Sequence, residues 1–185
     1  MQEFKLQIDT NTIYIQTIRF IGSFGLGFFA ALILTDFKHG NEIDWGKTSR
    51  DYAKYRPGPP KSFYKKLHAR DVGLKGQRIL DLGTGTGVLA REFSKQGCSV
   101  TGIDISQEQI KMAQTLAEIE GLDIDFHQSG AENFKVPDHS FDVISANQCF
   151  LYFEVDKVVP LIKKALKKDG VFVTSHFSWL PLVDP

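Results

Sequence analysis

The chain has 185 residues, 42% of them hydrophobic, and its 22 acidic and 22 basic side chains cancel. That length supports one principal core, and the balanced charge argues against a broad docking field for nucleic acid or an anionic membrane surface. Cys98 and Cys149 stand far apart with no CxxC or Cys/His spacing, so a disulfide framework or thiolate metal site is not expected and reduced thiols of a cytoplasmic protein are.

Residues 1–40 read as an atypical N-terminal segment and residues 41–185 as the main domain. Within the first part, "KLQIDTNTIYIQ" alternates apolar and polar residues, the pattern of a hairpin. The uncharged run Phe20 to Thr35 is shorter than the ~20 residues of a spanning helix. Its open readings are a short membrane anchor, a signal-type region, a buried segment, or translated sequence without function. No small-x-small cleavage site follows it, and membrane contact through 20–35 is not the favoured reading. The glycines from Gly22 to Gly27 lack a preceding strand with a following acid, and read as packing or flexibility.

After the turn-rich "YRPGPP", Lys61 to Arg70 supports a short helix with Phe63, Tyr64 and Leu67 on one face. From Arg78 the pattern becomes regular. A strand at Arg78 to Leu82 precedes a helix at about Val88 to Lys95 that stops at Gly97. The strand "SVTGID" leads to Ser106–Gln109, a capping box, and to a helix presenting Ile110, Ala113 and Ala117 and ending at Gly121. Strands follow at Asp123 to Gln128 and Phe141 to Ala146. Next come a helical stretch with Pro160 near its start, Val158, Ile162 and Leu166 on one face and Lys168-Asp169-Gly170 at its end, then the strand "VFVTSH". This spacing predicts βαβ units: an α/β, Rossmann-like, doubly wound and mainly parallel sheet. Ligands of such sheets bind beyond the carboxyl ends of the strands, which gathers the loops after Leu82, Asp104, Gln128 and Ala146.

Asp81 to Gly87 is a D-x-G-x-G-x-G turn whose glycines let the chain bend sharply and approach a ligand. The dinucleotide pattern G-x-G-x-x-G requires glycine where Val88 stands. Asp104 ends the next strand, roughly 20 residues on, where an acid binds ribose hydroxyls and repels a phosphate. These residues point to a nucleoside with free ribose hydroxyls.

The runs "ILDLGTGTG", "VTGIDIS", "GAENF" before "PDHSFDVI", and "LKKDGVFVTSHF" together resemble a class I S-adenosylmethionine-dependent methyltransferase of the small-molecule type 11 kind. The resemblance covers about Tyr52 to Phe177. It implies that Gly83, Gly85 and Gly87 pass beneath the methionine part of S-adenosylmethionine, and that Asp81 fixes the turn and helps hold the amino group. It implies also that Asp104 binds the ribose, that Ile105 packs on the adenine, and that the Ala131-Glu132 pair reads the adenine edge. Asn147 would line the methionine end, and Tyr52 and Arg56, in a Y-x-x-x-R-P segment, would close over the cofactor carboxylate. Many relatives carry an aspartate where this chain has Gly130, a part for which Glu132 or His127 is the substitute. The family continues past the strand "VFVTSH", so a C-terminally incomplete domain is expected, with that strand left as an apolar edge open to oligomer formation.

His176, after the same strand, is a weak candidate for a general base or acceptor contact, for no orienting partner can be assigned to it. His127 and His139 rank below it, and Cys149 reads as a small buried hydrophobe. The run Lys163, Lys164, Lys167 and Lys168 reads as a solvated helix face. Methyl transfer is a direct displacement that depends on positioning; no metal and no protein nucleophile are expected, and the acceptor is read as a small molecule. The alternatives are a truncated, non-catalytic cofactor-binding module and, behind it, a nicotinamide-dependent oxidoreductase.

Overall fold

Alternating strands and helices with apolar residues on both strand faces build one sheet covered on two sides. The computed structural model describes residues 13–19 and 58–177. The elements are β1 (Ile13–Arg19), α1 (Lys61–His68), β2 (Arg78–Leu82), α2 (Val88–Lys95), β3 (Ser99–Asp104), α3 (Gln107–Ile119), β4 (Asp125–Gln128), β5 (Phe141–Asn147), a 3-10 turn (Phe150–Tyr152), α4 (Val155–Ala165) and β6 (Leu166–Phe177). Their order across the sheet is β1-β6-β5-β2-β3-β4. All neighbours are parallel except β1 and β6. The order reverses at β2, which has β3 on one side and β5 on the other, so the crevice for a ligand opens at the carboxyl ends of β2, β3 and β5.

Period-two alternation sorts the strand residues into two layers. Ile79, Val143, Val171 and Val173 pack with Phe63, Leu89, Phe93, Ile110 and Phe126 on one face. Leu80, Leu82, Ile144 and Phe172 pack with Val158 and Ile162 of α4 on the other. The helices end where glycine allows it. Gly97, at φ 86°, and Gly121, at φ 65°, take the left-handed conformation. After α2, the amides of Gly97 and Cys98 bond to Ser94 and Phe93; after α3, those of Gly121 and Leu122 bond to Glu118 and Ala117. This is the Schellman arrangement that satisfies the last carbonyls of a helix.

Four expectations are corrected. The strand "VFVTSH" is not an open edge. β1 pairs with it antiparallel from Ile13 opposite Phe177 to Arg19 opposite Val171, so oligomer formation through an uncovered β6 edge has no support. The hairpin expected in "KLQIDTNTIYIQ" contributes one strand to that pairing, and its remainder lies outside the described residues. Pro160 sits inside α4, not at its start. That helix also stops at Ala165, because the amides of His139 and Ser140 take the carbonyls of Lys164 and Ala165 and Leu166 joins the ladder opposite Phe141. Lys167 and Lys168 therefore belong to β6, where Lys167 Nζ lies 2.7 Å from Asp142 Oδ1, and the lysine run is not one helix face.

Candidate functional site

Asp81 and Ser145 are polar residues between apolar neighbours on β2 and β5, and register places them side by side. Asp81 is 2% exposed. Its Oδ1 accepts from Ser145 Oγ at 2.6 Å and its Oδ2 from Thr84 Oγ1 at 2.7 Å. The second bond ties the carboxylate to the turn. Burial pushes the Asp81 carboxyl up to about 6, against the two hydroxyl bonds that favour its charge, and the nearby Asp104 carboxylate adds to the rise. No ion pair to Asp81 or Asp104 is seen among the described residues.

Asp104 holds the other side of the turn. One of its oxygens accepts from the Gly85 amide and the other from the Ser106 amide, both at 2.9 Å. Burial raises its carboxyl above the ordinary range, partly offset by amide bonds from Ser106, Gly85 and Ile105. Only half of the expected capping box forms as a result. Ser106 Oγ accepts the Gln109 amide at 3.3 Å, while the amide of Ser106 is taken by Asp104. Ile105, beside it, is 69% exposed, an apolar surface free to meet a flat ring.

The three glycines are alike in conformation, with φ of 61°, 57° and 75° at Gly83, Gly85 and Gly87, but not in surroundings. A Cβ on Gly87 would stand 2.9 Å from Phe126 Cζ and 3.2 Å from Ala113 Cβ; one on Gly83 would stand 2.8 Å from both Cβ and Sγ of Cys149. At Gly85 the nearest atom among the described residues would be Gln109 Oε1 at 3.9 Å. Two glycines thus answer to protein packing, and Gly85 offers the open backbone.

Cys149 was read as a small buried hydrophobe, and its part-buried side chain does fill the space over Gly83, its Sγ donating to the Leu82 carbonyl at 3.0 Å. Burial, then Asp81 and Asp104, push its thiol well above the usual range, which keeps it protonated and without nucleophilic character. Asn147 reaches the carboxyl edge as expected, but its Oδ1 accepts from Ser175 Oγ at 2.5 Å. After β4, Ala131 packs into the α4 layer. One oxygen of Glu132 accepts the Glu154 amide at 3.0 Å, and the other lies 3.3 Å from where a Cβ on Gly130 would stand.

His127 Nε2 lies 2.9 Å from Asp125 Oδ2 and His139 Nδ1 lies 2.9 Å from the Leu166 carbonyl. His176 is exposed on β6. Tyr52, Arg56 and the run 20–35 lie outside the described residues. Among the described residues no cluster of three or more His, Cys, Asp or Glu could hold a metal, and no helix is long and apolar enough to cross a membrane. Ser145, Thr84 and Thr86 were not singled out in the sequence. The signal for Ser145 was a polar residue set between Ile144 and Ala146 in a parallel strand.

The glycine turn, the acid ending β3 and the strand order fall in one stretch, and the methyltransferase domain family matches residues 79–170. These residues form a methyltransferase domain of the S-adenosylmethionine-dependent family. The ubiquinone biosynthesis O-methyltransferase of Actinobacillus pleuropneumoniae is 35% identical over 109 residues, 56% of this chain and 47% of that protein. The sterol 24-C-methyltransferase of Aspergillus fumigatus is 33% identical over 150 residues, 75% of this chain and 38% of that protein. The methyltransferase domain thus spans less than half the length of both relatives. Among solved structures, the phosphoethanolamine N-methyltransferase 2 of Haemonchus contortus, in complex with phosphomonomethylethanolamine and S-adenosylhomocysteine, is similar with a TM-score of 0.58 at 25% identity, over 66% of this chain and 30% of that one.

The methyltransferase domain's own residues fit the family's cofactor on three counts among the described residues: no atom nearer than 3.9 Å to a Cβ placed on Gly85, two carboxylates without a cationic partner, and the buried hydroxyl of Thr86 without a hydrogen-bond partner.

Proposed function

We propose that this protein transfers the methyl group of S-adenosylmethionine to a small-molecule acceptor. The observation that carries the reading is the pair of buried or half-buried carboxylates, Asp81 and Asp104, on either side of the glycine turn. A cofactor with a sulfonium and an ammonium complements them, and Val88 stands where the dinucleotide pattern needs its third glycine. When bound, S-adenosylmethionine supplies an electrophilic methyl group for in-line displacement. Gly85 gives close approach, and Asp81, under the turn, supplies fixed negative charge without itself reaching the surface. Asp104 has lone pairs left for ribose hydroxyls beyond those given to amides, Ile105 offers its face to the adenine, and Glu132 supplies the carboxylate that Gly130 lacks. Ala131 offers its backbone to the adenine edge, and Asn147, Tyr52 and Arg56 line or close the methionine end.

The three relatives are named for oxygen, carbon and nitrogen acceptors, so likeness to them leaves the acceptor atom of this chain open. Positioning alone supplies much of the rate in such a displacement. The separated cysteines support a reducing, cytoplasmic setting, and residues 41–185 with β1 make up the proposed domain. Calorimetry of the full chain with S-adenosylmethionine, S-adenosylhomocysteine and NAD, followed by transfer of a radiolabelled methyl group to a panel of phenols, amines and sterols, tests the proposal. Micromolar binding of the adenosyl compounds with label transfer is expected. Binding of NAD alone would overturn it, and tight adenosyl binding without transfer to any acceptor would reduce the protein to a binding module.

A further inference from the structure

Beyond β5, residues 148–154 run along the mouth of the crevice and are pinned to a different element at each step. At Gln148 the chain turns in the left-handed region, at φ 59°, a conformation uncommon outside glycine that recurs beside functional sites. The amide of Gln148 bonds to the Ser175 carbonyl of β6 at 2.8 Å, and Cys149 Sγ donates to the Leu82 carbonyl that ends β2. The 3-10 turn follows, closed by the amides of Tyr152 and Phe153 on the carbonyls of Cys149 and Phe150. At the far end the amide of Glu154 bonds to Glu132 Oε1 at 3.0 Å. Glu154 is the N-cap of α4, and its own side chain makes no capping bond. A carboxylate from 22 residues earlier stands at the positive end of that helix instead.

What this run presents beside the glycine turn is aromatic. Phe150 packs on Phe172 with ring centroids 5.2 Å apart and on Phe153 at 6.0 Å, tilted in the first case and edge-on in the second, arrangements in which ring quadrupoles attract. The tip of Phe153 reaches the turn, its Cζ 3.6 Å from where a Cβ on Gly83 would stand. Tyr152 is 53% exposed. The run holds one charge, Glu154, and Lys157 Nζ lies 2.7 Å from it. With Asp81, Asp104 and Glu132 as the neighbouring carboxylates, an anionic group here meets repulsion and no cation from the run.

We propose that residues 150–153 form the acceptor-side wall of the crevice, that this wall takes a flat, uncharged ring compound, and that Glu132 is the positioning residue that holds it there. The inference rests on the function proposed above. A ring laid against Phe153 and Tyr152 continues the cluster that Phe150, Phe153 and Phe172 already form, next to the turn that the cofactor approaches. One oxygen of Glu132 is engaged by Glu154, and the other faces the room that Gly130 leaves. A single side chain therefore serves both the adenine side and the acceptor side.

The full chain, saturated with S-adenosylhomocysteine, is titrated calorimetrically with 2-naphthol, a flat uncharged ring, and with phosphoethanolamine, which is charged and has no ring. Naphthol is expected to bind at least about tenfold more tightly. Phe153→Leu, which removes the ring and keeps an apolar side chain, should weaken naphthol about fivefold or more and leave S-adenosylhomocysteine within about twofold. Glu132→Ala should weaken naphthol about tenfold and speed amide exchange in residues 149–155 relative to the rest of the sheet. Glu132→Gln, whose side-chain oxygen still accepts the Glu154 amide, should restore both. Tighter binding of phosphoethanolamine, parental naphthol affinity in Phe153→Leu or Glu132→Ala, or failure of Glu132→Gln to restore it would overturn the inference. Should Glu132→Ala unfold at the assay temperature, the outcomes for Phe153→Leu and Glu132→Gln decide it. A parent that binds S-adenosylhomocysteine but not naphthol refutes the acceptor wall alone. One that binds no S-adenosylhomocysteine overturns the methyltransferase reading, and this wall with it.

Discussion

Replacing Asp81 by asparagine should stabilise the ligand-free protein at neutral pH, although the residue lies at the centre of the proposed site. The carboxyl is 2% exposed, held by two hydroxyls, and titrates at about 6 instead of 3.8. At 1.36 kcal/mol per pH unit, ionising it in the folded state costs about 3 kcal/mol. The folded form binds more protons than the unfolded form between pH 3.8 and about 6, so this group's contribution is fully present below 3.8 and lost as pH rises through 6. Asparagine has the same shape and no charge to desolvate. One hydroxyl can go on donating to its amide oxygen while the other turns to accept from its NH2, and misplacing one bond would take back about 1 kcal/mol. The expected gain is therefore about 1–3 kcal/mol at pH 8, falling to nothing near pH 4. Urea unfolding of both proteins across that range reads it directly. Destabilisation by asparagine at pH 8, or a difference independent of pH, would refute the reasoning and mean that the native carboxylate is compensated by a cation. Affinity for S-adenosylmethionine should fall in the variant, since the charge that destabilises the free protein is the one that attracts the ligand.

The same linkage predicts that binding of S-adenosylmethionine at pH 6 expels a fraction of a proton, visible as a dependence of the calorimetric enthalpy on buffer ionisation, and that the effect disappears at pH 8. Gly85→Ala and Gly87→Ala should separate conformation from packing. Both place a side chain at positive φ, a strain of roughly 1–2 kcal/mol, but only Gly87→Ala collides with Phe126 and Ala113. It should therefore lose clearly more stability in thermal unfolding, whereas Gly85→Ala keeps the fold and loses affinity for the cofactor. Consecutive prolines at Gln16 and Thr17 remove at least one ladder amide facing β6, because successive amides point to opposite sides of a strand. Uncovering β6 opposite Thr174 and Val173 should produce concentration-dependent association in light scattering; a monomer of unchanged stability would show that β1 is dispensable.

The strands, the turn and the helix ends were legible because their signals are local. Period-two apolar runs mark β2, β3 and β5, and Gly97 and Gly121 stop their helices through bonds that span only a few residues. The end of α4 was misplaced because its stop is not local. The amides that close its last turn come from His139 and Ser140, on the turn before β5, and Leu166 is drawn into the sheet by Phe141. β1 was half read, as alternation without a partner, since nothing in "TIYIQTIR" says which edge it will cover.

Asp104 and the turn Asp81–Gly87 could be picked out together as a candidate site because a bend of that kind followed by an acid at the next strand end is written in consecutive stretches of chain. What each glycine is for was decided by side chains arriving from elsewhere: Cys149 over Gly83, Phe126 and Ala113 over Gly87, and little over Gly85. The charge state of Asp81 was decided in the same way, by the depth of the sheet and by Ser145 on the neighbouring strand. Backbone conformation follows from short-range sterics and hydrogen bonds that a pattern of residue types records. Desolvation and close packing depend on which distant residues share a volume, and only the folded chain brings those together.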